Sequence, residues 1–202
     1  MFVQVIRGKV NDRERLEQQL DRWESDLADK AEGWLGATHG VTDDGTAVSI
    51  VRFESQEAAE ANSERPEQGA WWEETAGCFD GEPTFSNSTF VDLDTPGDPG
   101  DAGFVQVMQG QVSDPDRARE LMNDDSVDMS DYRPDILGSL MCGHDDGRWT
   151  MAIWFTSEAE AREGEQKNPP EEWSEVMQEL DQLSVGETSY FDLREPRLRA
   201  PA

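Results

Sequence analysis

Two different periods of apolar residues alternate along the first half of the chain. Residues 2–10 alternate side chain by side chain, which predicts a β-strand. Helical spacing follows to about residue 31, with an apolar stripe formed by Leu16, Leu20, Trp23 and Leu27. Two strands around the turn signal Asp43-Asp44-Gly45, a helical region after Ser55 and a closing strand over 84–93 complete the order β-α-β-β-α-β.

The same pattern recurs 102 residues further along the chain. An ungapped overlay of residues 2–75 on residues 104–177 gives 20 identical positions out of 74, beginning with Phe-Val-Gln-Val in both. A repeat of this length predicts two copies of one structural unit. We therefore predict four segments: a ferredoxin-like repeat over 1–93, a Pro-Gly-rich linker over 94–102, a second ferredoxin-like repeat over 103–193 and a tail over 194–202.

The predicted sheet of each repeat is apolar on both faces. In the third strand, Val48 and Ile50 face one way while Val51 and Phe53 face the other. Helices can cover only one of these faces, so the other needs a second apolar surface. The fold prediction is therefore α+β: tandem β-α-β-β-α-β repeats that form one intramolecular pseudo-twofold α/β barrel. Such a chain is a monomer, with a weak homodimer as the alternative.

Two segments resemble a known superfamily. Residues 48–61 and 150–161 are similar to the strand-to-helix junction of the antibiotic biosynthesis monooxygenase-like, dimeric α/β-barrel proteins. The resemblance covers nearly the whole chain as two fused copies. That superfamily includes cofactor-independent oxygenases, haem-degrading enzymes, isomerases and members without known activity.

The resemblance does not extend to the haem-degrading branch. That branch uses an Asn on the first strand, then a Trp and a His in the second helical region. The equivalent positions here carry other residues in both copies: Ile6, Asn62 and Trp72 in the first, Met108, Gly164 and Ser174 in the second. Because Ser cannot replace an axial imidazole, we expect no haem degradation of that kind and no cofactor.

The cofactor-independent branch implies a different set of candidate residues. Those oxygenases bind a polycyclic phenol in an aromatic pocket between sheet and helices, and the bound substrate itself donates an electron to O₂. The candidate catalytic residues are His39, as a base, and Arg52, as a partner for a phenolate or carboxylate. The candidate substrate-binding residues are Trp71, Trp72, Asn62, Trp149, Trp154 and Trp173. The alternatives are ordinary core for the tryptophans and a surface ion pair for Arg52.

The charge of the chain excludes several partners. Asp and Glu number 45 against 17 Lys and Arg, which gives a net charge of −28. Such a surface repels nucleic acid and anionic membranes, and it suits either a salty cytoplasm or a cationic partner. Cys78 and Cys142 are not equivalent in the two copies, so we predict two isolated buried thiols and no metal site. Without a signal peptide or an apolar span, we expect a cytoplasmic protein.

Two functions remain open from the sequence. The first is a cofactor-independent monooxygenase-like protein that acts on or binds a small aromatic or hydrophobic molecule. The second is a non-catalytic ligand-binding or assembly barrel. The copies differ at Trp23/Asp125, Arg52/Trp154 and His39/Met141, so we expect an active site in one half only. A cavity that contains His39 or Arg52 favours the first function.

Overall fold

The computed structural model describes residues 1–122, 132–144 and 146–201. Two sequence predictions concern residues outside these ranges. They are the second half of the first helix of the second repeat, which includes Asp125, and Asp145 of the second hairpin turn.

Both halves contain the predicted order β-α-β-β-α-β, with the second helical region formed by two helices and with additional short strands. The first half contains β1 (Phe2–Lys9), α1 (Arg13–Asp26), β2 (Trp34–Val41), β3 (Thr46–Phe53), α2 (Gln56–Ser63), α3 (Pro66–Ala76), β4 (Thr84–Ser88) and β5 (Phe90–Asp94). The second contains β6 (Phe104–Gln111), α4 (Pro115–Met122), β7 (Ile136–Gly143), β8 (Arg148–Phe155), α5 (Glu158–Glu165), α6 (Glu171–Leu183), β9 (Ser189–Leu193) and β10 (Arg197–Arg199).

Local hydrogen bonds explain where the helices begin. The Asp12 side chain accepts a hydrogen bond from the backbone N–H of Arg15 and caps α1. Ser55 caps α2 in the same way, and Ser157 caps α5 at the equivalent place in the second half. The β2–β3 hairpin turns at Gly45, whose φ of +81° suits glycine. These elements were predictable because each depends on neighbours in sequence.

The strands form two five-stranded sheets, whereas four strands were predicted for each sheet. The first sheet has the order β10-β2-β3-β1-β4 and the second has the order β5-β7-β8-β6-β9. The single closing strand predicted over 84–93 is two strands, because the Ser88 hydroxyl bonds both backbone groups of Phe90 and breaks the strand there. The fifth strand of the first sheet, β10, comes from the predicted tail.

The chain divides into two compact units. Unit 1 comprises Met1–Val91 together with Leu193–Ala202, and unit 2 comprises Asp92–Asp192. Unit 1 is therefore discontinuous in sequence, since the C-terminal segment returns to it. Within the described residues, no helix is long and apolar enough to cross a membrane.

The strand register of unit 1 assigns side chains to the two faces of its sheet. Phe2 pairs with Phe53 and Gln4 with Val51, so these four side chains share the face that carries the helices. The opposite face is apolar as predicted, and its central residues are at most 2% exposed: Val3, Val5, Val48 and Ile50. The intramolecular barrel that would explain this burial stays a prediction.

Candidate ligand cavity of unit 1

A cavity of about 240 Å³ lies between the first sheet and its helices. Every residue that lines it belongs to unit 1. The sheet contributes the floor, including Gln4, Ile6, Ala37, His39, Ser49 and Val51. The helices contribute the remaining walls, including Leu20, Trp23, Asn62, Trp71 and Trp72. The lining is therefore largely apolar, with a few polar groups at defined positions.

Five aromatic rings form a continuous wall around this cavity. Their centroids are separated by 5.0 Å for Trp23–Trp34, 6.4 Å for Trp23–Trp71, 6.0 Å for Trp71–Trp72 and 5.1 Å for Trp72–Phe85. Most of these contacts are edge-to-face, which is a favourable geometry for aromatic pairs. The wall thus presents rings at several orientations to any molecule in the cavity.

Hydrogen bonds hold two of these rings in place. The indole N–H of Trp23 donates to Gln68 Oε1 at 2.8 Å, and that of Trp71 donates to the backbone oxygen of Gln19 at 2.8 Å. Both bonds link α1 to α3, so the wall is fixed by the packing of the two helices. A preformed aromatic surface loses little entropy when a flat ligand binds.

His39 is the imidazole on the floor. Its Nδ1 lies 2.8 Å from Ser49 Oγ, directly across the β2–β3 pairing. Burial, with the charges of Arg199 and Arg197 as further causes, lowers the pKa of His39 to about 4. The imidazole is therefore neutral at pH 7. Among the residues that the structure describes, Nε2 has no hydrogen-bond partner.

Strand β10 brings two guanidinium groups to the same floor. Arg197 pairs in register with His39 and Arg199 with Ala37, so both side chains stand on the helix-bearing face. Arg197 forms an ion pair with Asp21 on α1. Arg199 forms one with Glu24, also on α1. These contacts hold β10 against the edge of the cavity.

Amide groups complete the polar part of the lining. Gln4 Nε2 donates to Asn87 Oδ1 at 3.2 Å across the β1–β4 pairing. Asn62 is 7% exposed, and its Oδ1 accepts a hydrogen bond of 2.8 Å from Arg65 Nη1. Within the described part of the chain, Asn62 Nδ2 has no partner, so this amide can donate to a ligand.

The structure brings together four of the predicted site residues. His39, Asn62, Trp71 and Trp72 all line the cavity. Arg52 does not, because it pairs in register with Val3 and Gly36 and so lies on the opposite face of the sheet. Burial lowers the pKa of Arg52. His39 and Arg52 therefore cannot act on one molecule in this cavity.

The other three candidates, Trp149, Trp154 and Trp173, belong to unit 2. Trp154 is 1% exposed and shares a face with Val105, so it lies in the core of that unit. Trp149 pairs with Gly110 and packs against it. Whether any of the three contacts a ligand stays a prediction.

Unit 2 has different side chains where unit 1 has its cavity. Met141 faces Met151 at the positions equivalent to His39 and Ser49. Gly164, equivalent to Asn62, leaves room for the Arg133 guanidinium, since a Cβ there would lie 2.6 Å from Arg133 Nη2. Arg133 stacks 5.6 Å from the Phe155 centroid and forms an ion pair of 2.7 Å with Asp135. The position that Asn62 holds in unit 1 is thus filled by an arginine in unit 2.

Several cavity residues were not predicted from the sequence. Trp23 was assigned only to the apolar stripe of the first helix. Its replacement by Asp125 in the second copy was noted as a difference between the copies. Ser49 and Phe85 carry no local signal for a site. Arg197 and Arg199 were placed in the tail over 194–202, with no role in a site.

Metal chemistry has no support in the described residues. No group of three or more His, Cys, Asp or Glu side chains there could hold a metal ion. Cys78 and Cys142 are buried free thiols. Burial raises the pKa of Cys142 to about 12, which makes this thiol a poor nucleophile.

No protein-family model and no curated protein matches this sequence. Solved structures do match it. A candidate monooxygenase from Lactobacillus acidophilus is 12% identical, with 98% of each chain covered and a TM-score of 0.74. A second, from Fusobacterium nucleatum, is 10% identical over 98% of this chain and 94% of that one, also with a TM-score of 0.74. An anthrone oxidase-like protein is 12% identical over 98% and 92%, with a TM-score of 0.69.

The chain has the fold of these monooxygenase-type proteins. At such low identity the likeness concerns the fold alone. The resemblance noted in the sequence is thus confirmed at the level of this monooxygenase-type fold, while the duplication of one ancestral unit stays a prediction.

Proposed function

We propose that unit 1 binds a small, flat aromatic molecule and oxidises it as a cofactor-independent monooxygenase. The observation that carries this proposal is the aromatic cavity with a neutral imidazole on its floor. Its volume of about 240 Å³ lies just below the roughly 300 Å³ at which pockets for drug-sized ligands begin. The expected ligand is therefore compact.

The side chains of the cavity would bind the ligand in two ways, by ring stacking and by hydrogen bonds. The rings of Trp23, Trp71 and Trp72 stack on the ligand and exclude water. When the proton of His39 is on Nδ1, Nδ1–H donates a hydrogen bond to Ser49 Oγ, and Nε2 accepts one from a ligand hydroxyl. Asn62 Nδ2 donates to a ligand oxygen. These contacts orient the ligand without any bound metal or flavin.

The oxidation itself then takes place between the substrate and O₂. A CH₂ group flanked by aromatic rings loses a proton, and the resulting anion gives its electrons to O₂. One oxygen atom becomes the carbonyl oxygen of the product, and the other leaves as water with the two hydrogens of the CH₂ group. Because the pKa of His39 is about 4, His39 is a weak base, so the substrate must itself be acidic when bound.

The same weak basicity favours a second candidate function. A cavity with a neutral His39 can bind an aromatic molecule without transforming it, as a non-catalytic ligand-binding barrel. The intramolecular barrel, the monomeric or weakly dimeric state and the cytoplasmic location remain proposals drawn from the sequence.

Oxygen uptake in the presence of an anthrone separates the two functions. The anthrone oxidase-like neighbour motivates this choice of probe. We expect uptake with formation of a quinone chromophore, and a loss of roughly 100-fold in rate for His39→Gln. Met141→Gln, the equivalent change in unit 2, is the matched control and should retain the rate. Uptake at the rate of buffer alone, with binding intact, supports the non-catalytic barrel.

A further inference from the structure

We propose that the molecule bound in unit 1 is an aromatic acid, and that its carboxylate or phenolate oxygen is received by Arg197 beside His39. This inference rests on the proposed function, because it assumes that the cavity binds an aromatic molecule. It assigns the anion-binding role to β10, whereas the sequence had assigned it to Arg52.

The first support is the position of the guanidinium groups. Of the residues that line the cavity, all of them in the described part of the chain, Arg197 and Arg199 are the only cations. They project from the strand next to His39, on the same face. In the tautomer in which Ser49 Oγ–H donates to Nδ1, His39 Nε2–H can donate to an anionic ligand oxygen. That oxygen then lies beside Arg197 as well.

The second support is the difference in exposure between the two arginines and the carboxylates that pair with them. The Arg197 and Arg199 side chains are 26% and 31% exposed, whereas their partners Asp21 and Glu24 are 57% and 45% exposed. Water therefore screens the two carboxylates more than it screens the guanidiniums. Glu24 also lines the cavity, yet the charged groups that shift the pKa of His39 are Arg199 and Arg197 and include no carboxylate. Both arginines thus act on the floor as positive charges, although burial is the larger cause of the lowered pKa of His39.

The third support is the hydrogen-bonding capacity of Arg197. A guanidinium carries five N–H donors. The contacts that the structure gives for Arg197 use only Nη2, which bonds Asp21 Oδ1. Within the described residues the remaining N–H groups are unpartnered, so a carboxylate can bind without displacing Asp21.

The two arginines of the cavity contrast with the acidic character of the rest of the protein. With a net charge of −28, the chain as a whole repels anions. A cationic floor is therefore a local feature of the cavity, built by a strand that returns to unit 1 from the end of the chain. Added salt should weaken the binding of an anion here, because it screens the attraction to partly exposed arginines.

Three bicyclic probes of similar shape test the proposal by tryptophan fluorescence: 2-naphthoate, 2-naphthol and the neutral 2-naphthamide. We expect 2-naphthoate to bind at least about tenfold more tightly than 2-naphthamide, since a charge-assisted hydrogen bond contributes roughly 1.5–3 kcal/mol. A preference for 2-naphthol that grows as its hydroxyl ionises would assign a phenolate instead of a carboxylate. Equal binding of all three overturns the proposal and leaves the proposed function intact. Failure of every probe, the neutral one included, overturns both.

Two variants separate anion binding from a purely structural role of Arg197. Arg197→Gln should abolish the preference for 2-naphthoate and leave 2-naphthamide unaffected. Asp21→Asn leaves the guanidinium in place but removes its competing carboxylate, so it should tighten 2-naphthoate binding. If the ion pair only holds β10, both variants loosen that strand and change binding in the same direction, which contradicts the proposal. Arg194→Gln, whose ion pair with Asp43 lies outside the cavity, is the control and should change nothing.

Discussion

His39 Nδ1 lies 2.8 Å from Ser49 Oγ across the β2–β3 pairing, on the floor of an aromatic cavity. At the equivalent place in unit 2, Met141 faces Met151. One unit thus carries a polar pair where the other carries two thioethers. Under the proposed function, this difference assigns the binding of a polar aromatic ligand to unit 1.

The stability of the protein should depend on His39 between pH 6.5 and 4. The unfolded chain binds a proton on this residue below its ordinary pKa of about 6.5, whereas the folded protein does so only below about 4. The free energy of unfolding therefore falls as the pH drops through this window, by at most about 3 kcal/mol. Urea unfolding at pH 7 and pH 5 measures the fall. His39→Gln should flatten it and His144→Gln should not; an unchanged slope in His39→Gln contradicts the account.

Removal of one arginine should restore part of the basicity of His39. Arg199 is the first electrostatic cause of the lowered pKa, after burial. Arg199→Gln should therefore raise the pKa of His39 above about 4, yet leave it below 6.5 because burial remains. An NMR titration of the imidazole C–H signals gives the value. A pKa that stays at 4 would show that the arginine charge is fully compensated by Glu24.

Gly164 should tolerate no side chain. A Cβ there would press on the Arg133 guanidinium, which is fixed by its ion pair with Asp135 and its contact with Phe155. Gly164→Ala should therefore destabilise the protein by about 1–3 kcal/mol. Gly69→Ala is the matched control, since its Cβ meets nothing within 4 Å and alanine favours a helix. Thermal melts decide; a Gly164→Ala variant as stable as the control would show that Arg133 moves aside freely.

Two tryptophan variants should separate ligand binding from core packing. Trp72 is half-buried on the cavity wall, so Trp72→Leu should weaken binding of an aromatic ligand and cost little stability. Trp154 is buried in unit 2, so Trp154→Ala should cost about 3–5 kcal/mol of stability. Calorimetry measures both quantities. If Trp72→Leu binds the ligand with unchanged affinity, the aromatic wall does not contribute to ligand binding.

The sequence was sufficient for features set by near neighbours. The cap at Ser55 and the turn at Gly45 depend on residues only a few positions away. The face of Arg52 relative to His39 was not predictable in this way. The alternation of residues shows which side chains of one strand share a face. To compare the faces of residues on β2 and β3, the register of the two strands is needed, and it shifts at a bulge between Trp34 and Gly36.

Strand β10 shows a second limit of sequence reasoning. Its three residues follow Pro196 and carry no apolar period. The strand is stabilised by pairing with β2 and by ion pairs with Asp21 and Glu24, all distant in sequence. Only the fold brings these partners together, so Arg197 could not be recognised as a cavity residue beforehand.

The most direct test of the account follows the two histidines of the chain by NMR while an aromatic ligand is added. His39 lines the cavity and His144 does not, so one spectrum contains both the probe and its control. Addition of 2-naphthoate should shift the His39 signals in a saturable manner and raise the pKa of His39, because the bound anion offsets Arg197 and Arg199. The His144 signals should stay in place. If the His39 signals do not move at saturating ligand, or move only together with those of His144, the cavity of unit 1 is not the binding site.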